Sequence, residues 1–472
     1  MEMKVLVLLL FLQSLTTSIE TTTTAKTHRV VLSHPHFQHL DVKQSIEETK
    51  LIINLTRQAE ITRDQKPGKL RLIHRDKMMS LHHQDHGRRF TDRMRRDVKR
   101  VASLTGQPSY EAEAFGSDVV SGMEEGSGEY FARIGVGSPP RSQYVVIDSG
   151  SDVMWLQCQP CDQCFRQSDP VFNPADSASF AGVSCSSIAC NRLENAYAGC
   201  SQEGRCHYAV SYGDGSYTKG TLALETITMG RTTIQNVAIG CGHKNQGMFV
   251  GAGGLLGLGG GSMSFVGQLG GQTGGAFSYC LVSRGTGSSG SIQFGRESMP
   301  VGASWVPLVH NLQAPSFYYV GLSGLGVGAL QVPISEDIFR LTEQGDGGVI
   351  MDTGTAVTRL PATAYNGFRD AFIAQTTNLP RASRASIFDT CYNLNGFVSV
   401  RVPTVSFYFT GGLILTLPAR NFLIPIDNVG TFCFAFAPSP SRLSIIGNIQ
   451  QEGIQISVNG ASGFVGFGPD VC

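Results

Sequence analysis

The sequence predicts an all-β protein made of two similar halves behind a basic N-terminal arm. Three observations predict it. Short runs rich in Val, Ile, Phe, Tyr and Thr (YFARIGVG, SQYVVID, TLALETITM, FYYVGL, TVSFYFT) recur between Gly/Ser/Pro turns, and glycine supplies 56 of 472 residues, well above its usual share of about 7%. The segment Val145–Leu156, VVIDSGSDVMWL, returns at Val349–Leu360 as VIMDTGTAVTRL, with Asp148 and Asp352 in the same place 204 positions apart (352 − 148). Each acid is then followed by two branched apolar residues and a glycine, Leu255-Leu256-Gly257 and Ile445-Ile446-Gly447, 109 and 95 positions later (257 − 148; 447 − 352). An ordered set of matches is the mark of a doubled lobe.

The elements follow in chain order. Residues 1–18 carry Lys4, an apolar run from Val5 to Leu12 and then small polar residues. That run is too short to span a bilayer and reads as a secretory signal peptide. No later stretch has the length of a spanning helix, and the C-terminus, GFGPDVC, shows no lipid-anchor tail. The arm, 19–120, is basic: from Ile19 to Val119 there are 18 Lys+Arg, 13 Asp+Glu and eight of the eleven histidines. From Val120 onward 18 Lys+Arg face 23 Asp+Glu (18 − 23 = −5). A basic tail can bind nucleic acid, but the plainer reading is a solvated, partly helical segment, and no nucleic-acid partner is expected. Within it LRLIHRD (Leu70–Asp76) suits a strand and FTDRMRRDVKRVASL (Phe90–Leu104) an amphipathic helix. The dibasic pairs Arg95-Arg96 and Lys99-Arg100 are candidate cleavage points, and Asn54 begins the one N-glycosylation sequon. The body divides near residue 305 into halves of 121–305 and 306–472, with a helix expected over Ala364–Thr376.

The chemistry lies in the repeated acid. A carboxylate at the end of Val-Val-Ile is costly to bury, because desolvation raises its pKa or weakens the fold. The residues after it help: a Ser or Thr hydroxyl and the N–H groups of a tight Asp-Ser/Thr-Gly-Ser/Thr turn can donate to it, and glycine permits a close backbone approach. Two such turns on pseudo-twofold halves would set two carboxylates side by side. Such a pair shares one proton, so it holds a base and an acid at once. That suits hydrolysis of a peptide bond by an activated water, with no covalent intermediate; the two titrations belong to the pair, not to either residue.

At these residues a resemblance is plain. Asp148-Ser149-Gly150-Ser151 and Asp352-Thr353-Gly354-Thr355, with the two apolar-apolar-Gly sites, resemble the pepsin-like aspartic protease family over essentially everything after the arm. The resemblance implies a bilobal β fold with a central cleft and few helices, Asp148 and Asp352 as the catalytic dyad, and Ser149, Gly150, Ser151, Thr353, Gly354 and Thr355 as the turns that brace them. It also implies a flap. YAVSYGDGSYTKG (Tyr208–Gly220) reads as a hairpin around a Gly-Asp-Gly turn; Tyr212 would be the flap tyrosine, Trp155 its hydrogen-bond partner, and Gly213 and Asp214 the tip. The tip acid is similar to the plant nepenthesin-like branch. MFVGAGGLLGLGGGSMSFVGQLGGQTGGAFSYCLVSRGTG and SIIGNIQQEGIQ are similar to the guard-cell aspartic proteases of plants. The arm becomes a prosegment whose basic side chains cover the dyad near neutral pH, an intramolecular inhibitor whose working Lys or Arg the sequence does not single out.

All twelve cysteines lie between Cys158 and Cys472, and an even number behind a signal peptide reads as a disulfide framework. By resemblance the pairs are Cys158–Cys161, Cys164–Cys241, Cys185–Cys206, Cys190–Cys200, Cys280–Cys472 and Cys391–Cys433. A metal on Cys158, Cys161 and Cys164 would want a second Cys/His pair at matching spacing, so neither metal nor cofactor is expected. Other hydrolase signals are missing: there is no Gly-x-Ser-x-Gly and no His-Glu-x-x-His. The expected protein is a secreted, monomeric endopeptidase made as a zymogen and acting on peptide or protein substrates at acidic pH, outside the cell or in the apoplast, with endomembranes or vacuole as the other destinations. The competing reading is a non-catalytic, inhibitor-like binding protein on the same fold, but such relatives typically lose an acid or its turn, and both are whole here.

Overall fold

The structure, a computed structural model, describes residues 36–51, 69–75, 86–105, 130–193, 199–212, 216–247, 249, 251–282 and 290–471. The signal segment, Asn54, the 120/121 boundary, Gly213, Asp214 and Cys472 lie outside these. The fold is mostly β, with two lobes and few helices.

A run of eight antiparallel strands carries both halves of the body. In order they are Ser304–Val309, Phe464–Val471, Ile454–Asn459, Ala276–Cys280, Gly290–Phe294, Lys69–His74, Tyr130–Val136 and Arg141–Asp148. The order matters in two places. Strands of the first half join the second directly where Tyr279 pairs with Ile456. And a strand of the arm sits in the middle of the run: Leu72 pairs with Gly290 on one side and Ala132 on the other. Its alternation explains the fit, because Leu70, Leu72 and His74 are buried while Lys69 and Arg71 are exposed, the period of two that a half-buried strand needs.

Each lobe then repeats one local device. Gly254–Gly257 runs parallel to the strand ending at Asp148, with Leu256 opposite Ile147 and Gly257 opposite Asp148. Ser444–Ile446 runs parallel to Val349–Met351, with Ile445 opposite Ile350 and Ile446 opposite Met351. The doubled apolar-apolar-Gly pattern is thus the strand that flanks each acid. These inner strands are buried on both faces, which is why they read as unbroken apolar runs.

Two of the longer helices match patterns legible in the sequence. In the arm, His86–Thr105 is one 20-residue helix whose buried residues include Phe90, Met94, Arg100 and Val101. In the second half, Ala362–Gln375 buries Ala364, Tyr365, Phe368 and Phe372 on one face. The helix Val42–Leu51 of the arm follows a strand, Phe37–Asp41, that pairs with Ser399–Pro403; neither was expected from the sequence. The dibasic pairs offered as cleavage points fall inside the long helix, and Arg96 and Arg100 are buried at 6% and 5% exposure. A protease needs extended, accessible chain, so neither pair can be cut until the helix lifts off. Among the described residues no helix is long and apolar enough to cross a membrane.

The cysteines correct the pairing implied by resemblance. The structure joins Cys158–Cys241, Cys161–Cys164, Cys185–Cys200 and Cys190–Cys206, in place of Cys158–Cys161, Cys164–Cys241, Cys185–Cys206 and Cys190–Cys200. The strand Trp155–Gln157 runs parallel to residues 240–242, and Cys158 N–H donates to Gly242 O, so Cys158 reaches Cys241 with Cα atoms 5.3 Å apart. Cys161 and Cys164 are left to each other in the following loop. In the second set burial sorts the partners: Cys190 and Cys206 are both buried in an apolar cluster with Val183 and Tyr208, whereas Cys185 and Cys200 lie nearer the surface. Cys391–Cys433 joins adjacent strands where the two residues are direct cross-strand partners, as the resemblance implies. Cys280 is disulfide-bonded too, but Cys472, its expected partner, is not among the described residues.

Candidate active site

Both acids stand at the end of a buried strand and at the start of a tight turn that donates to them. Asp148 Oδ2 accepts from Ser151 Oγ at 2.7 Å and its Oδ1 from Gly150 N–H at 3.0 Å. Asp352 Oδ2 accepts from Thr355 Oγ1 at 2.5 Å and its Oδ1 from Gly354 N–H at 2.9 Å. The middle residues reach across the seam: Thr353 Oγ1 accepts from Ser149 N–H at 3.1 Å, and Ser149 Oγ from Thr353 N–H at 3.0 Å. The interlock is reciprocal, so it fixes the turns to each other as well as to their own lobes. Glycine is needed for closeness. A Cβ on Gly150 would stand 2.8 Å from Asp352 Oδ1, and one on Gly354 would stand 2.7 Å from Asp148 Oδ1.

The two carboxylates meet on one guanidinium. Arg100 Nη2 donates to Asp148 Oδ1 at 2.9 Å and to Asp352 Oδ1 at 3.2 Å, and its Nε donates to Asp352 Oδ2 at 3.1 Å. Asp352 is wholly buried and Asp148 nearly so. Burial pushes Asp148 above the usual carboxylate value; Arg100 opposes this and the Asp352 charge adds to it. For Asp352 burial acts upward too, but Arg100, Thr355 and Gly354 together outweigh it and hold the carboxyl below the usual value. The two environments therefore split the pair, with one acid easier to protonate than the other.

Above the acids, Trp155 Nε1 donates to Tyr212 OH at 2.8 Å. Tyr212 follows the strand Cys206–Ser211, its N–H donates to Ser216 O at 2.8 Å, and the return strand is Tyr217–Met229. Phe249 packs edge-on against both Trp155 and Tyr212, at ring-centroid distances of 5.0 and 5.7 Å. The described part of the hairpin thus brings Tyr212 onto Trp155, while its tip, Gly213 and Asp214, lies outside the described residues.

The arm helix brings more than Arg100. Phe90 and Met94 pack against Val357, Phe388, Ile424 and Ile449, and Val101 against Tyr319, Ile350 and Ile445. Arg93 Nη2 donates to Asn448 Oδ1 at 2.7 Å and lies 3.6 Å from Glu452, which also accepts from Tyr130 OH at 3.1 Å. One turn before Arg100, Asp97 Oδ1 accepts from the N–H groups of Ala356 at 2.7 Å and Val357 at 2.9 Å, and Asp97 Oδ2 accepts from Arg359 Nη2. Sequence reasoning missed Asp97, Arg359 and Arg93. It also left Arg100 unsorted among 18 cations of the arm. The one available signal was Arg100's place on the apolar side of an amphipathic helix.

A pair of buried carboxylates, each braced by its own turn and both aimed at one point of a cleft, defines the aspartic-type endopeptidase class. The comparisons carry this further. The family descriptions Xylanase inhibitor N-terminal and Xylanase inhibitor C-terminal match residues 130–296 and 317–469. The protein called aspartic protease in guard cell 2, from Arabidopsis thaliana, is 64% identical over 456 residues, covering 93% of this chain and 96% of that protein. Aspartic proteinase nepenthesin-1 from Nepenthes gracilis is 36% identical over 407 residues, covering 83% and 89%. Among solved structures, conglutin gamma from lupine seeds superposes with a TM-score of 0.58 at 19% identity, covering 73% of this chain and 92% of that one, a likeness of fold alone. The chain belongs to the plant, nepenthesin-like branch of the pepsin-like aspartic protease family.

Proposed function

We propose that this protein is an acid-active endopeptidase made as a self-inhibited precursor, with Asp148 and Asp352 as its catalytic pair. The observation that carries the reading is the meeting of both carboxylates on Arg100, each held by mirrored donors. With the guanidinium withdrawn, the same two groups face one point and share a proton. A water between them gives its proton to the ionised carboxylate as its oxygen attacks the peptide carbonyl. The protonated carboxyl donates to the carbonyl oxygen, and the tetrahedral diol then collapses as the amide nitrogen is protonated and the C–N bond breaks. The flap tyrosine, Tyr212, is held by Trp155 so that it can close over an extended peptide.

The arm is the inhibitor in this reading. Its helix occupies the dyad through Arg100, and its strand completes the central sheet. The described disulfides support passage through an oxidising compartment, with secretion to the cell exterior or apoplast as the destination. We take the working form to be a monomer, and Asn54 to be its glycan acceptor.

The family descriptions name xylanase inhibitors, which keeps a non-catalytic binding protein as the contrary outcome. The test is cleavage of a peptide library at acidic pH by the activated protein, with and without pepstatin. Cleavage that pepstatin blocks, and that Asp148→Asn abolishes, is expected. Unchanged cleavage by Asp148→Asn, or none by a folded wild type, would overturn the enzymatic reading.

A further inference from the structure

The most developed anion contact outside the dyad is made by Asp97. Three donors converge on its carboxylate: two adjacent backbone N–H groups, Ala356 and Val357, on one oxygen and the Arg359 guanidinium on the other. All three donors belong to the body; only the acid belongs to the arm. The donors are also rigid. Arg359 lies in the strand Thr358–Pro361, which pairs on one side with Phe436–Ser439 and on the other at Ile445. The next residue back, Thr358, is fixed by Gln450, whose Oε1 accepts from Thr358 N–H at 3.1 Å and from its Oγ1 at 2.6 Å.

Arg359 has little else to bind. Its Nη1 reaches Pro438 O only at 3.5 Å, and its buried Nε finds no hydrogen-bond partner among the described residues. Asp97 is the one carboxylate paired with it among those residues. A second acid of the lobe, Asp389, is already taken up by Tyr365 at 2.6 Å, Thr390 at 2.7 Å and Arg369 at 2.9 Å. Once the helix leaves, a guanidinium and two N–H groups held by a rigid strand are left facing one point of the opened cleft, where a carboxylate has only water to displace and gains charge-assisted bonds.

We infer that Ala356, Val357 and Arg359 form a carboxylate-binding subsite of the cleft, and that the activated protein selects substrates carrying Asp or Glu a few residues from the scissile bond. The position follows from the helix that fills both places. Asp97 and Arg100 are one turn apart, about 4.5 Å along the axis, and Arg100 sits on the dyad. An extended peptide, rising about 3.3 Å per residue, covers that span in one or two residues, and side-chain reach adds about as much again. The acid therefore falls within four residues of the cut. Asp97 is the arm's imitation of that side chain, and Arg359 is the specificity residue that reads it.

The inference rests on the peptidase reading, and the experiment separates the two. Peptides in pairs, identical but for Asp or Asn, are scanned over the four positions on each side of the cut and compared by kcat/KM at about pH 5, where a free carboxyl is ionised. At one position the wild type should favour Asp over Asn by about tenfold, as a charge-assisted pair with further donors allows; in Arg359→Gln the ratio should fall to near one. If neutral peptides are cleaved but no position favours Asp, the subsite is wrong and the peptidase reading stands. If Arg359→Gln fails to fold, the wild-type profile decides alone. If the folded wild type cleaves nothing, the peptidase reading fails and the same pairs are compared by equilibrium binding: equal affinities overturn the subsite, and a carboxylate preference sustains it.

Discussion

Ser149 and Thr353 each lend a hydroxyl to the other lobe's backbone, and this exchange is where stability and geometry at the dyad become one question. Each hydroxyl accepts from an N–H of a buried residue on the other side of the seam. Replacing Thr353 by Ala leaves Ser149 N–H unpaired, at a cost of about 1–3 kcal/mol. The turn would then be free to drift by fractions of an ångström at the reacting carboxylates. Thr353→Ser should keep the contact and Thr353→Ala should lose it. Thermal unfolding should show the Ala variant lowered by several degrees, with kcat reduced well beyond what the Ser variant shows. Equal behaviour of the two would mean the hydroxyl has no bracing role. At this scale the sequence was readable because the relation is local: the acid, the glycine and the outer hydroxyl are consecutive residues in both copies. Asp97 and Arg359 were not readable, since their partnership spans 262 positions and nothing in a basic arm marks one acid as different from the next.

The helix His86–Thr105 covers the two acids through Arg100, and the pH response expected of the proposed self-inhibited precursor follows from them. Asp352 is held below its ordinary value near 3.8, chiefly because Arg100 and the turn donors outweigh burial. Its support for the closed arm is therefore complete above that value and drains as pH falls through the depressed one. Asp148 is raised by burial, so its ionised form is a penalty that operates above its raised value and lifts as pH falls. In the proposed precursor, loss of the Asp352 support is the step expected to free the helix, at a pH below the ordinary carboxylate range. Hydrogen exchange over residues 86–105 should show protection at neutral pH that collapses on acidification. Arg100→Gln, which removes the shared cation from two buried acids, should collapse at a higher pH. Coincident profiles for the two proteins would show that Arg100 does not hold the helix down.

The pattern of this element was legible in its own residues, and its place over the dyad only through the family resemblance. Its apolar periodicity marks a helix, and LRLIHRD a strand, whatever they pack against. Which groove receives them depends on surfaces assembled from residues hundreds of positions away. The cysteine-rich loop shows the same limit. Seven cysteines between Cys158 and Cys206 admit many pairings, and the strand register that sets Cys241 beside Cys158 is a property of the folded sheet.

For the whole molecule, the joining of the halves was visible as a repeat, but the continuous sheet beneath them was not, because the repeat is silent about which strand pairs across the seam. That sheet includes a member the body does not encode. Expression of residues 130–472 without the arm should give poorly folded material, and co-expression of a separate 36–105 segment should restore soluble protein; size-exclusion recovery measures both. Full yield from the body alone would show the arm to be dispensable for folding.

Lys69–His74 is flanked by partners on both sides, and this has a further consequence. Pulling it out would bare two facing rows of N–H and C=O groups, along Gly290–Phe294 and Tyr130–Val136, the kind of open edge that recruits other chains into fibres and clumps. Maturation that discarded the whole arm would thus trade latency for stickiness. A cut that removes the helix but leaves the strand as a stowaway, gripped only by its ladder, would escape that hazard.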